Sequence, residues 1–206
     1  MYARTITWRI SPHSVDELAA HMRDRIMPRL SEIDGFVGLS LLVDRDTGRC
    51  ISTGAWQTAE ALHASDERMH ASREEVARTF GTAPEMEDWE IAVLHRAHRT
   101  DVGACARVDW SRTAPANVDR VVDACRESLM PWWEQTPGFD SNSFLVDRDT
   151  GRFVSTVVFE SHDAMAHTRD QFTTLREEFS QRMGLEITEV AEFDIALAQL
   201  RVPETV

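Results

Sequence analysis

The sequence is poor in tyrosine, in cysteine and in positive charge, and each scarcity removes a class of function. Of 206 residues only Tyr2 is a tyrosine, so phenolic proton transfer has a single candidate. The three cysteines, Cys50, Cys105 and Cys125, form no close-spaced pair, and an odd number does not suit a disulfide framework. They read as reduced, buried thiols. Lys and Arg total 22 against 35 Asp and Glu, a formal charge of −13. Such a charge repels phosphate backbones and anionic lipid, which argues against nucleic acid or membrane as a partner. No apolar run approaches the roughly 18 residues of a membrane span. Met1 to Pro12 lacks the charged-then-apolar pattern of a signal peptide, so a cytoplasmic protein is expected. No glycine-rich phosphate loop is present, and no cofactor is implied. His95 and His98 lie three apart with no carboxylate or cysteine at metal-site spacing, so no metal is expected and both read as solvated.

What the sequence has instead is repetition. LVDRDTGR at Leu42 to Arg49 recurs letter for letter at Leu145 to Arg152, 103 residues later. Met27-Pro28 recurs as Met130-Pro131, Gly35-Phe36 as Gly138-Phe139, and Ser52-Thr53 as Ser155-Thr156 at the same spacing. Trp8 pairs with Trp110 at 102, and the tail from Glu87 with that from Ala191 at 104. The chain is an internal duplication with small insertions between blocks. Two domains follow, residues 1–98 and 99–206, joined by the polar segment from His95 to Gly103.

One repeat shows the architecture. Arg4 to Ile10, rich in β-branched and aromatic residues and ending at Ser11-Pro12, predicts a strand. Ser14, three before Glu17, opens a helix as a capping box, with Val15, Leu18, Met22, Ile26, Leu30 and Ile33 along one side. Pro28 bends its last turn. Phe36 to Val43 and Cys50 to Trp56 are strands flanking the repeated DRDTGR, whose turn formers and Gly48 encode a hairpin. Thr58 caps a second helix carrying Leu62, Met69, Val76 and Phe80, and Trp89 to Leu94 closes the repeat as a strand. The order βαββαβ is that of a ferredoxin-like α+β plait. Its strands are apolar on both faces, so both need cover, and the second plait supplies it, sheet on sheet. The expected fold is an intramolecular α+β barrel, complete in a monomer, with a homodimer left open.

Gly35-Phe36, the Thr-Gly hairpin, and Trp56 leading into Thr58-Ala59-Glu60-Ala61 resemble the antibiotic biosynthesis monooxygenase family of the dimeric α+β barrel superfamily. The second repeat matches with Gly138-Phe139 and with Phe159 leading into Ser161-His162-Asp163-Ala164. The resemblance implies one of three functions. The first is a cofactor-independent oxidoreductase acting on a phenolic or quinone-like small molecule, the second a non-catalytic small-molecule-binding or scaffold barrel. The third is a haem-binding or haem-degrading protein. Against the third, positions at which the haem-degrading branch carries a Trp and the iron-ligating His align with Ser65 and Glu74, and with Thr168 and Glu177. His70, one turn from Glu74, is the substitute ligand to test.

Two residues stand out as candidate ligand groups. Arg73 follows Met69 by four and precedes Val76 by three, which puts a guanidinium on the apolar stripe of the second helix; Arg176 does the same between Phe172 and Phe179. A cation there needs an ion pair, with Glu90, Asp109 or Asp194 available on the strands, or a cavity. Trp8 and Trp110, taken as equivalent first-strand positions, and Asn142, opposite Leu39 in the first repeat, complete the expected ligand site. The general base is unassigned.

Overall fold

The structure is a computed structural model and describes residues 1–96 and 103–200; most of the segment expected as linker, His98 included, lies outside these. The strands are β1 (Tyr2–Arg9), β2 (Phe36–Val43), β3 (Arg49–Trp56), β4 (Glu85–Arg96), β5 (Cys105–Arg112), β6 (Phe139–Asp147), β7 (Arg152–Phe159) and β8 (Glu186–Leu200). Between β1 and β2 run α1 (Val15–His21), a π-helical turn over Met22–Ile26, and α2 (Met27–Ser31). The long helix α3 (Ala59–Phe80) follows β3. The second repeat has α4 (Val118–Ala124), a π turn over Cys125–Leu129, α5 (Met130–Glu134), then α6 (His162–His167) and α7 (Arg169–Met183). Each repeat is therefore βαββαβ, and the strands hydrogen-bond in the order β1-β3-β2-β8-β5-β7-β6-β4, an antiparallel closed barrel.

The chain divides into two compact units. One holds Met1–Trp89 with the described residues from Phe193 on, the other Glu90–Glu192. In the first, β2 pairs with β3 on one side and with Asp194 to Leu200 of β8 on the other. In the second, β6 pairs with β7 and with Glu90 to Arg96 of β4. This pairing draws β4 on to Arg96, beyond the expected end at Leu94. His95 is accordingly not a solvated linker residue: it stacks on Phe139 at 6.1 Å, with Nε2 3.3 Å from Glu134.

Local details depart from the sequence reading for identifiable reasons. Ser14 makes no side-chain cap, because the chain enters α1 through a 3₁₀ turn over Pro12–Ser14 that leaves Ser14 near φ −97°, ψ 1°. A capping hydroxyl needs extended backbone, as at Thr58 (φ −135°, ψ 162°), whose Oγ1 accepts from Ala61 N at 3.2 Å. Pro28 and Pro131 act one turn earlier than expected. Lacking an N–H and crowding the carbonyl four back, each is preceded by a π turn.

Trp8 and Trp110 are not equivalent. Trp8 faces Cys50 across the ladder and Ser111 faces Phe153, so Ser111 is the counterpart of Trp8, and Trp110 that of Thr7. A one-residue offset in a strand reverses the face. Trp8 is fully buried in the core of the first unit, whereas Trp110 is only partly buried.

The repeated octapeptide is a structural device. Asp44 accepts from the Asp46 and Thr47 amides, and Asp147 from those of Asp149 and Thr150. Arg45 bridges Asp16 and Asp194, and Arg148 bridges Asp119 and Glu90, so the hairpin ties a helix start to a strand in each unit. Gly48 has φ 75°, its carbonyl accepts from Ile10 N at 3.0 Å, and a Cβ there would lie 2.0 Å from Ile10 O. Gly48→Ala is therefore expected to cost about 2 kcal/mol or more of unfolding free energy. Gly81→Ala, at a helix end with φ 66° and open space around, should cost less. Equal losses in chemical denaturation would show that the close approach to Ile10 contributes nothing.

Candidate functional site

The first unit holds a half-open cavity of about 50 Å³ between its strands and helices, several times what one water needs. Period-2 alternation puts Arg4, Ile6 and Trp8 of β1 on its wall, beside Ser52, Gly54 and Trp56 of β3. The helical side is Met22, Ile26 and Leu30 from the bent first helix, with Met69 and Arg73 from α3. Gly54 shapes the space: a Cβ there would stand 2.5 Å from Cη2 of Trp56, so only glycine lets the indole lie across the strand. Trp8 Nε1 donates to Ser52 Oγ at 3.1 Å. Trp56 Nε1, in a side chain 3 % exposed, is buried and finds no hydrogen-bond partner among the described residues.

The charged wall was only half anticipated. Arg4, 5 % exposed, donates Nε and Nη2 to Asp88 at 2.6 and 2.7 Å and is bridged to Asp66 through Nη1 and Nη2. Its side chain is deeply buried, while those of Asp66 and Asp88 are 45 and 40 % exposed, so water screens the carboxylates more than the cation. Burial opposes the Arg4 charge, but both carboxylates more than compensate and hold its pKa above the ordinary value. Arg73 uses only Nη2 among the described residues, donating to the Asp66 carbonyl at 2.9 Å and approaching its Oδ1 at 3.4 Å. Burial, and Arg4 alongside, pull its pKa down against the attraction of Asp66 and Asp88. Arg73 is thus a charged group with spare donors on a cavity wall, and its acceptor is Asp66 on its own helix rather than a strand carboxylate.

The second unit fills the equivalent space. Phe172 stands for Met69, Phe179 for Val76, Trp133 for Leu30 and Val157 for Gly54, and the aromatic rings pack on one another, with Trp133 to Phe172 at 5.0 Å. Arg107, the counterpart of Arg4, is 2 % exposed, reaches Glu192 and the Met165 carbonyl, and has Cζ 4.7 Å from the Phe172 ring centre. Arg176 pairs with Asp109 at 3.2 Å, one of the strand carboxylates expected. Asn142 is buried and donates to Thr156 O at 3.1 Å, with Oδ1 unpartnered among the described residues. The structure therefore brings Arg73 and Trp8 to one cavity and places Asn142 in the packed interior of the second unit, with Arg176 partly exposed beside Asp109.

Among the described residues lining the cavity there is no Asp, Glu, His, Cys or Tyr. Haem chemistry fits poorly: of the aligned positions Ser65 lines the cavity, but Glu74 and His70 pair at 3.4 Å with side chains more than half exposed. The cysteines are buried, and burial pushes the Cys50 thiol up to about 11 and the Cys125 thiol to about 12, far from a reactive thiolate.

These features define a closed, eight-stranded antiparallel α+β barrel built from two βαββαβ repeats, with a cavity in the first. No family model matches the chain. It belongs to the family of the uncharacterized Mycobacterium tuberculosis proteins Rv2557 and Rv2558. The first is 46% identical over 206 residues, covering 100% of this chain and 92% of the relative. The second is 46% identical over 207, covering 100% and 88%. Among solved structures, a candidate monooxygenase of Fusobacterium nucleatum superposes with a TM-score of 0.72 at 9% identity, covering 97% of this chain and 94% of that one. An anthrone oxidase-like protein superposes at 0.66 with 14% identity, covering 99% and 95%. A heme-degrading enzyme of Listeria monocytogenes gives 0.52 at 8% identity, covering 93% and 98%. At these identities the likeness establishes the fold.

Two outcomes test the charges. Burial is the main cause that raises the Asp109 pKa from 3.8 to about 6, with Arg176 and Arg107 opposing it. A carboxyl whose folded pKa exceeds its unfolded value keeps a proton that the unfolded chain has released. Its stabilising contribution is therefore present at low pH and lost as pH rises through about 6. From pH 5 to 7 this amounts to about 1 kcal/mol, and the difference in unfolding free energy between wild type and Asp109→Asn should drift by that much. A constant difference would place the proton elsewhere. Separately, Arg176→Met strands a buried carboxyl and should cost about 3 kcal/mol, whereas Arg73→Met, whose partner is half-exposed and held by Arg4, should cost far less. Equal losses would mean that Arg73 is a structural cation.

Proposed function

We propose that the chain is a cofactor-independent monooxygenase and that the cavity of the first repeat takes a flat phenolic or quinone-like molecule. The observation that carries this is Arg73, a partly buried guanidinium with unused donors on a cavity otherwise walled by Trp8, Trp56 and aliphatic side chains. Flat aromatic walls suit a planar ring, and a fixed cation in poor solvent stabilises an oxyanion. In this chemistry the substrate loses a proton to give an electron-rich anion that reduces O2 directly. For a methylene flanked by aryl rings, one oxygen atom becomes the ketone and the other leaves as water. The chain's own contribution is to hold the anion against Arg73 and to exclude water. The likeness to an anthrone oxidase-like protein supports anthrone-type compounds as first substrates.

A non-catalytic binding barrel is the second reading, favoured by the lack of an acid–base side chain among the described lining residues. Oxygen uptake separates the two. The monooxygenase should consume O2 with anthrone and form the quinone, and Arg73→Met should lower kcat/KM at least about tenfold. Saturable anthrone binding without O2 consumption above the buffer rate would leave the binding barrel standing and remove the enzyme.

A further inference from the structure

The cavity is small for an aromatic ring. A volume of about 50 Å³ is a third of the roughly 150 Å³ at which an engineered apolar cavity takes up benzene. Of its lining residues Ile6 and Arg73 are the two that are not buried, so the opening lies at them and the other residues close round the interior. A ring therefore enters only when a wall gives way. The strand wall is fixed by ladders, β1 with β3 from Tyr2 to Arg9 and β2 with β3 from Phe36 to Val43. α3 is one unbroken helix of 22 residues, capped by Thr58 and Gly81 and tied along its length by the Arg4–Asp66 pair. The third wall is Met22 and Ile26 of the π turn with Leu30 of α2, and it is the weakly held one. Side chains that face a void forgo the dispersion contacts that packed neighbours supply.

The polar contacts of that wall with α3 converge on one carboxylate. Glu75 accepts from Arg29 Nη1 at 2.9 Å, with Arg25 at 4.0 Å and His21 at 3.9 Å, and Arg29 also donates to Ser72, a lining residue, at 2.9 Å. His21 rests edge-on against Phe80 at 6.1 Å. The Arg29 hydrogen bond is the chief cause that holds the Glu75 carboxyl below its ordinary value. The packed second repeat lacks these cations. At the offset of 103, Ala124, Ser128 and Trp132 stand where His21, Arg25 and Arg29 do, while Glu178 keeps the place of Glu75.

We propose that the segment from His21 to Ser31 is a movable wall latched to α3 through Glu75, and that the cavity reaches the size of an aromatic ring when the latch opens. The inference rests on the cavity being the ligand site of the proposed function and adds how a ring gains entry. The π turn supplies the give: Met27 N–H reaches back to Met22 O, and Pro28 has no N–H to carry the ladder on. Asp16, bound to Arg45, anchors the start of α1, so the movement begins beyond it. Both repeats have the turn, and the latch residues distinguish the first.

The test uses the full chain and two readouts. In hydrogen exchange, Glu75→Gln and Arg29→Met should speed the amides of Met22 to Ser31 about three- to fivefold, the size expected of part-exposed ion pairs, and leave β1, β3 and the second repeat unchanged. Glu178→Gln, at the equivalent place without the cations, should alter none of them. In stopped flow, with 2-naphthol as the probe and the emission of Trp8 and Trp56 as the signal, both latch variants should associate faster by the same factor as the exchange. Unchanged exchange over Met22 to Ser31, or a rise shared by every amide of the first unit, would overturn the proposal. So would faster exchange with an unaltered association rate. Faster exchange with no 2-naphthol binding in any form would instead remove the ligand site of the proposed function and leave the latch in place.

Discussion

A guanidinium withdrawn from water has to be met by fixed acceptors, and much of the first unit is arranged around that requirement. Arg4 projects from β1 into the space beneath α3 and is met by a carboxylate from α3 and another from β4. The three elements are thereby held at one spacing, and the cavity is what that spacing leaves over. Because Asp66 and Asp88 reach outward into water while both arginines face inward, a locally neutral cluster still presents its positive ends to the cavity. The second unit meets the same requirement in part, for Arg107 Nη1 is buried without a hydrogen-bond partner among the described residues. Arg107 lies under Phe172 and Glu192, Arg176 is spent on Asp109, and aromatic rings take up the remaining volume.

The duplicated halves have thus kept a scaffold and diverged in what it encloses. Identical hairpins, paired π turns before Pro28 and Pro131, and matching caps at Thr58 and Ser161 keep the scaffold alike, although the helix that is continuous as α3 breaks at Thr168 between α6 and α7. Within that frame, Val157, Phe172, Trp133 and Phe179 stand where the first repeat has Gly54, Met69, Leu30 and Val76, and the larger side chains occupy the interior, since interiors fill to near crystalline density when the side chains allow it.

Much of this was legible in the sequence because it is written in local pattern. The βαββαβ order, the hairpin and the apolar stripe carrying Arg73 all follow from spacing. Arg4 was legible too: counting back by twos from Trp8 passes Ile6 and reaches Arg4 on the same face, a signal hidden by reading the segment only as β-branched. Its partners were not, because Asp66 and Asp88 lie 62 and 84 residues away and nothing local marks them as buried-side acceptors. The matching of Trp8 with Trp110 failed for a related reason. Identical letters invite alignment, but the face of a strand residue is fixed by its ladder, and the ladder puts Ser111 opposite Phe153. The solvated reading of His95 failed because the partner strand, not the polar composition, decides where β4 stops.

The long reach of β8 has a consequence for how the molecule is born. The first unit includes the strand residues from Phe193 on, which pair with β2 some 150 positions earlier in the chain. During synthesis β2 emerges early with an unpaired edge, and that edge stays bare until nearly the whole described chain has left the ribosome. Pairings this distant in sequence are slow to form, and exposed strand edges invite pairing with other chains in the interval. The half that carries the cavity is therefore the first to be made and the last to be closed.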